Sequence, residues 1–255
     1  MIILKSAEEI ARMRIAGKVV ACVLDTLRKH IRPGITTEAL NAIAEEECKK
    51  HGAVPAFKNY PHPRGGRPFP GVICASLNEE VVHGIPRGDR VLKEGDIISI
   101  DFGAYVCGFA GDAAITVAVG EVDKRVNKLI QVTEEALMKG IEQAKPGNRL
   151  GMVSHAVQRH AEKNKFSVVR DFVGHGIGRN MHEEPPIPNY GRKDQGPVLK
   201  EGMTLAIEPM LNMGTHKVYT KLDEWTVVTR DGSFSAHFEH TVAVTDKGPE
   251  ILTLN

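Results

Sequence analysis

Residues 91–119 read VLKEGDIISIDFGAYVCGFAGDAAITVAV, and the fold turns on how this stretch pairs with itself. Ile97, Ile98, Ile100 and Phe102 supply one strand and Ile115, Val117 and Val119 a second, with Gly108 and Gly111 in the connection. A hairpin centred between Val106 and Cys107 sets Asp101 opposite Asp112, where Cβ atoms stand about 4.5–5.5 Å apart. Two like charges so placed repel, and each raises the pKa of the other unless something positive lies between them. A held cation is the simplest resolution. For the pair alone, a shifted register with both carboxylates in water is the other reading.

The device appears twice. Val91-Leu92-Lys93-Glu94-Gly95 returns as Val198-Leu199-Lys200-Glu201-Gly202, and six residues past the glycine stand Asp101 in one copy and Glu208 in the other. Thr116-Val117-Ala118-Val119 returns as Thr241-Val242-Ala243-Val244, with Asp112 four residues before the first and Glu239 two before the second. An offset of two keeps both carboxylates on one strand face. Acidic side chains are rarely buried without a partner, so the repetition favours a metal site.

The flanking sequence repeats a plan as well. Ser6-Ala7-Glu8-Glu9 has the form of a capping box and opens a helix whose apolar stripe runs through Ile10, Met13, Gly17, Val20, Leu24, Leu27 and Ile31 to Pro33-Gly34. Thr37 is read as the cap of a second helix. Asp123 opens a third, with Val126, Leu129, Ile130, Leu137 and Ile141 inward, and a shorter one carries Val153, Ala156, Val157 and Ala161. Each half is therefore two helices and then strands, roughly 1–120 and 121–255, and no low-complexity linker divides them. The expectation is one catalytic domain over 1–255. Between Lys58 and Gly71 the chain is irregular, with Pro61, Pro63, Pro68 and Pro70, and it leads into a strand at Val72-Ile73-Cys74.

Composition narrows the class. Among 255 residues, 33 basic and 32 acidic side chains leave a formal charge of +1, which argues against nucleic acid or an anionic membrane as target. No apolar run approaches the ~20 residues of a membrane-spanning helix. Cys22, Cys48, Cys74 and Cys107 are scattered without CxxC spacing and read as reduced thiols, so a soluble cytoplasmic protein is expected.

Histidine adds an imidazole to the carboxylates. Gly174-His175-Gly176-Ile177-Gly178 brackets one ring with glycines, His182 follows seven residues later, and His83 ends the apolar run Val81-Val82. A lone histidine is more often a structural hydrogen-bonder, but three beside glycine turns, in a chain with four suspect carboxylates, point to a site. His30, His51, His155 and His160 are read as surface residues. His237 shares the face of Glu239 and His240 opposes it, which gives His237 a supporting role.

Asp101, Asp112, His175, Glu208 and Glu239, in this order and spacing, resemble the metal set of the methionine aminopeptidases over essentially the whole chain. Asn78-Glu79, Val82-His83-Gly84-Ile85-Pro86, Ala206-Ile207-Glu208-Pro209 and Phe238-Glu239-His240-Thr241 agree. With no long insert between Glu184 and Glu208, the chain is similar to type I. The resemblance implies an α+β pita-bread (creatinase/aminopeptidase) fold, with two pseudo-symmetric halves around a curved antiparallel sheet. It implies two divalent ions bridged by Asp112 and Glu239, with Asp101 on one and His175 and Glu208 on the other. It implies further that His83 contacts the scissile amide, His182 polarises the substrate carbonyl and Glu208 accepts a proton from the attacking water. A methionine pocket of Tyr60, Phe69, Cys74, Met181 and Trp225 completes the set, with residues 61–68 longer than the family loop.

Such donors suit Mn²⁺, Fe²⁺, Co²⁺ or Zn²⁺, and ions about 3.5–4 Å apart can share a hydroxide and polarise a carbonyl, which is amide hydrolysis. The expected reaction is removal of methionine before a small second residue. The expected substrates are nascent polypeptide N-termini after deformylation, met at the ribosome by a monomer. Two other readings keep the fold: a prolidase-like enzyme, which would need an additional N-terminal domain, and a binding protein that has lost ligands. A chain with all five ligands and no room for that domain speaks against both.

Overall fold

A computed structural model describes residues 1–255. Four helices are present: α1 Ala7–His30, α2 Thr37–Lys50, α3 Lys124–Ile141 and α4 Leu150–Lys163. The first half contributes strands β1 Val54–Pro55, β2 Cys74–Leu77, β3 Glu80–Val82, β4 Ile97–Val106 and β5 Phe109–Ala118. The second contributes β6 Ser167–Val168, β7 Gly174–Gly176, β8 Glu183–Ile187, β9 Thr204–Ile207 and β10 Met210–Asn212. It closes with β11 Val218–Thr220, β12 Val227–Thr229, β13 Ser235–His237, β14 Glu239–Thr245 and β15 Gly248–Ile251.

Local signals set the helix starts. The Ser6 hydroxyl accepts from Glu9 N–H while the Glu9 carboxylate accepts from Ser6 N–H, the reciprocal pair that a capping box requires. In α2 the cap is Thr36 rather than Thr37: Thr36 Oγ1 accepts from Ala39 N–H at 3.1 Å. The Thr37 hydroxyl is buried and turned away, donating to Arg87 O and accepting from Arg87 N–H. Adjacent threonines offer the same cap chemistry, and tertiary contact decides between them.

Nine antiparallel strands form the main sheet, in the order β1-β4-β5-β14-β9-β7-β8, with β2 also on β4 and β15 on β14. Helix α1 lies on β4 and β5, and α3 contacts β5, β9 and β14. The sequence repeat has matching hydrogen bonds. Gly34 N–H donates to Leu92 O and Leu92 N–H to Ile35 O; Gly147 N–H donates to Leu199 O and Leu199 N–H to Asn148 O.

The central hairpin turns one residue later than expected, which shifts the pairing by two residues. Its two-residue turn is Cys107-Gly108, with φ of 51° and 77°, the left-handed pair that matches the strand twist. Asp101 therefore faces Ala114, and Asp112 faces Gly103. The two aspartates lie diagonally on one face instead of directly opposed. Gly111 belongs to β5, not to the connection, because α1 crosses there: a Cβ on Gly111 would sit 2.9 Å from the Gly17 nitrogen. The strand expected from Val72 begins at Cys74.

Candidate metal centre

One row of the sheet carries the acids. Cys74 pairs with Asp101, Asp101 with Ala114 and Ala114 with Glu239, so these side chains share one face. Next along the sheet His240 pairs with Ile207, which leaves Glu208, one residue past β9, beside Glu239. Asp112 lies two residues from Ala114 on that same face. His175 joins through Ala206, which it pairs with and which pairs in turn with Thr241, two residues from Glu239. Four polar side chains from strands of both halves, and Glu208 just past β9, thus converge because the strand registers agree.

Asp112, His175 and Glu239 bring potential ligand atoms within 4.8 Å of one another, and so do Glu208, His237 and Glu239. His175 Nε2 lies 4.0 Å from Asp112 Oδ2 and 3.7 Å from Glu208 Oε1. Its Nδ1–H donates to Gly176 O at 2.9 Å, which puts the proton on Nδ1 and turns the Nε2 lone pair toward the carboxylates. Burial holds this imidazole down to a pKa of about 3, so it is neutral. Burial, and then their mutual repulsion, pushes the carboxyls of Asp112 and Glu239 well above the usual range, and the same holds for Asp101 and Glu208.

Nothing in the chain answers this negative charge. The four carboxylates make no ion pair with lysine or arginine, and histidine is their only partner of that kind. Asp101 Oδ1, Asp112 Oδ1 and Glu239 Oε1 are buried without a hydrogen bond. Buried acceptors without partners are costly and rare, and three in one cluster suit a bound cation. Oxygen-rich ligation with one neutral imidazole fits divalent ions of the first transition row.

A cavity of about 290 Å³ opens over the cluster, lined by Asp101, Asp112, His175, Glu208 and Glu239. Its remaining wall includes Tyr60, Phe69, Cys74, His83, His182 and Trp225, each expected near a substrate. Met181 is the exception. It is buried in a core cluster with Met13 and Phe109 and does not line the cavity, its Cε lying on the same side of Gly103 as Asp112 and Phe57, which do. Phe57, Phe172 and Met210 line the cavity instead and had not been expected there. No local pattern marks them, since two lie in loops and one in a short strand, and only the folded chain gathers them.

The histidines divide. His83 follows β3 at φ 60°, edge-on to Phe172 and Trp225, and burial holds its pKa down at about 4. His182 Nδ1 lies 2.7 Å from Tyr60 Oη and its ring packs 4.2 Å from that of His175. His237 is closer to the cluster than a supporting role suggests: Nε2 is buried without a hydrogen bond and lies 3.5 Å from Glu208 Oε2. His240 points the other way and bonds Thr253.

Residues 11–246 match the model of metallopeptidase family M24. Over 254 residues the chain is 55% identical to a methionine aminopeptidase of Clostridium acetobutylicum, covering 100% of this chain and 99% of that one. It is 54% identical to methionine aminopeptidase 1 of Bacillus subtilis, over 99% of both. The crystal structure of a methionine aminopeptidase from Thermotoga maritima superposes with a TM-score of 0.96 at 51% identity, each chain covered in full. A prolidase from Pyrococcus furiosus shares the fold, with a TM-score of 0.77 at 24% identity over 66% of its length.

Proposed function

We infer the reaction from the family first: the chain belongs to metallopeptidase family M24, among the type I methionine aminopeptidases of pita-bread fold, and removes N-terminal methionine by metal-dependent hydrolysis. The observation that carries the site assignment is the set of three buried, unpartnered carboxylate oxygens on Asp101, Asp112 and Glu239. Two divalent ions would be held there, Asp112 and Glu239 reaching both, Asp101 completing one and His175 with Glu208 the other. Cobalt, manganese, iron(II) and zinc all suit these donors. When bound, such ions make water acidic near neutral pH and polarise a carbonyl.

The protein's own groups do the rest. Glu208, one residue past β9 and beside His175 and His237, takes the proton of the attacking water. His83 is neutral at pH 7 and hydrogen-bonds the scissile amide. Tyr60 Oη, donating to His182 Nδ1, leaves the His182 Nε2–H to donate to the substrate carbonyl. Tyr60, Phe69, Cys74 and Trp225 receive the methionine side chain, for which aromatic and sulfur contacts add modestly to burial. Residues 1–255 act as one catalytic domain, a monomer in the cytoplasm. Its substrates are nascent N-termini after deformylation at the ribosome, because a formamide lacks the amine that the site must hold.

A cavity of about 290 Å³ crowded by five ligands, His83 and His182 leaves little room beside the first residue. Peptides Met-X-Ser should release methionine quickly when X is Gly, Ala, Ser, Thr, Pro, Val or Cys and slowly when X is Leu, Lys, Arg or Phe. A chelator should abolish release from all of them. Comparable kcat/KM for Met-Ala-Ser and Met-Lys-Ser would contradict the crowding, and faster cleavage of Ala-Pro peptides would contradict the methionine assignment.

A further inference from the structure

Segment 61–68 enters no step of that reaction, yet hydrogen bonds give it a defined shape. Phe69 N–H donates to Tyr60 O at 2.9 Å and pins its base, and Gly65 N–H donates to His62 O at 3.0 Å and closes a turn within it. His62 Nδ1 accepts from the N–H groups of Arg64 and Gly66, so the ring proton sits on Nε2, which donates to Glu224 O at 3.3 Å. Trp225 Nε1–H donates to Arg67 O at 2.9 Å, with its ring edge-on to that of His62. Two stretches remote in sequence thereby form one wall. Behind it lies a second cavity of about 500 Å³ that adjoins the catalytic one, sharing Pro63, His83, Phe172 and Trp225.

The occupant follows from the geometry and rests on the aminopeptidase reading. With the amine at the carboxylate cluster and the scissile amide at His83, the remainder of a peptide must leave past His83, where the second cavity begins. An extended chain advances about 3.3–3.6 Å per residue, which carries the third and fourth residues into it. Its charge leans positive. Arg64 lines it without an ion pair, and Lys221 lines it while sharing the single carboxylate of Glu80 with Arg90, at 2.8 and 3.0 Å. Against these stands Glu224.

We propose that this chamber is the subsite for the third and fourth residues of the peptide, and that Arg64 on its wall favours an acidic side chain there. Arg64 is exposed, so its effect is modest and salt-sensitive. At low salt, metal-loaded protein should cleave Met-Ala-Asp-Ser about threefold faster in kcat/KM than Met-Ala-Lys-Ser. Arg64→Ala should level the two and Arg64→Glu should reverse them, while the uncharged-ended Met-Ala amide is turned over equally by all three proteins. An unchanged ranking in Arg64→Glu, with Met-Ala amide still cleaved, would overturn the subsite and leave the aminopeptidase reading standing. Failure of the unsubstituted protein to release methionine from any of these peptides would overturn both.

Discussion

A single proton decides what His175 can be. With Nδ1–H donated to Gly176 O, only Nε2 is left as a lone pair, and it faces Asp112 and Glu208. His83 and His182 lack that arrangement, being set by aromatic neighbours and by Tyr60. His175→Ala should therefore lower metal content. His83→Ala and His182→Ala should leave it near normal and reduce turnover by about 10²–10⁴-fold, the range for a displaced acid–base or polarising group. Metal analysis beside kcat separates the two classes, and equal metal loss in all three variants would show the roles misdivided. The carboxylates were legible because an acid inside an apolar strand is an oddity, and the chain commits it in duplicate. Met181 lies off the cavity lining, which spacing along a chain cannot show, because it does not tell a residue on a cavity wall from one packed beneath it. His237 was underrated because its approach to Glu208 depends on β13 and the loop after β9 meeting in space.

At the scale of the element, the hairpin β4–β5 shows how much turn chemistry decides. Hydrophobic patterning located both strands, but the register belongs to Cys107-Gly108, whose positive φ angles close a two-residue turn. Reading Gly111 as part of the connection overlooked the second use of glycine, close backbone approach. Helix α1 crosses β5 at Gly17, and a methyl group on Gly111 would meet main-chain atoms at 2.9–3.1 Å that cannot move aside as a side chain could. Gly111→Ala should cost about 1–3 kcal/mol of stability by forcing helix and strand apart. A urea unfolding curve checks this, and an unchanged midpoint would mean that α1 is free to shift. Asp112 is the next residue, so the same variant should also loosen metal binding.

For the molecule as a whole, the site is where its two halves meet, and its charge makes stability depend on what it holds. In metal-free protein the carboxyls of Asp101, Asp112, Glu208 and Glu239 have folded pKa values raised above the unfolded ones. The native state then binds more protons than the unfolded chain, so this contribution is fully present below about pH 4 and is lost as pH rises through the raised values. Burial of His83, His175 and His237, with pKa values of about 4, 3 and 3, acts in the opposite sense and removes stability as pH falls below about 6.5. Above about pH 6.5 the histidines no longer contribute to the slope, so chelator-treated protein should melt at lower temperature as pH is raised from about 7 to 9, and metal-loaded protein should not. A flat profile for the metal-free form would show that the acids are neutralised by something in the chain itself.

The central claim is that this acidic cluster holds two divalent ions and that hydrolysis depends on them. Asp112 tests it most directly, as the residue assigned to both ions and one whose amide variant keeps the same shape. Metal content by mass spectrometry, read beside methionine release from Met-Ala-Ser, should give about two ions per chain and turnover for the unsubstituted protein. Asp112→Asn should lose both metal and turnover while its circular dichroism spectrum is unchanged. Retention of both ions and full turnover in Asp112→Asn would contradict the account.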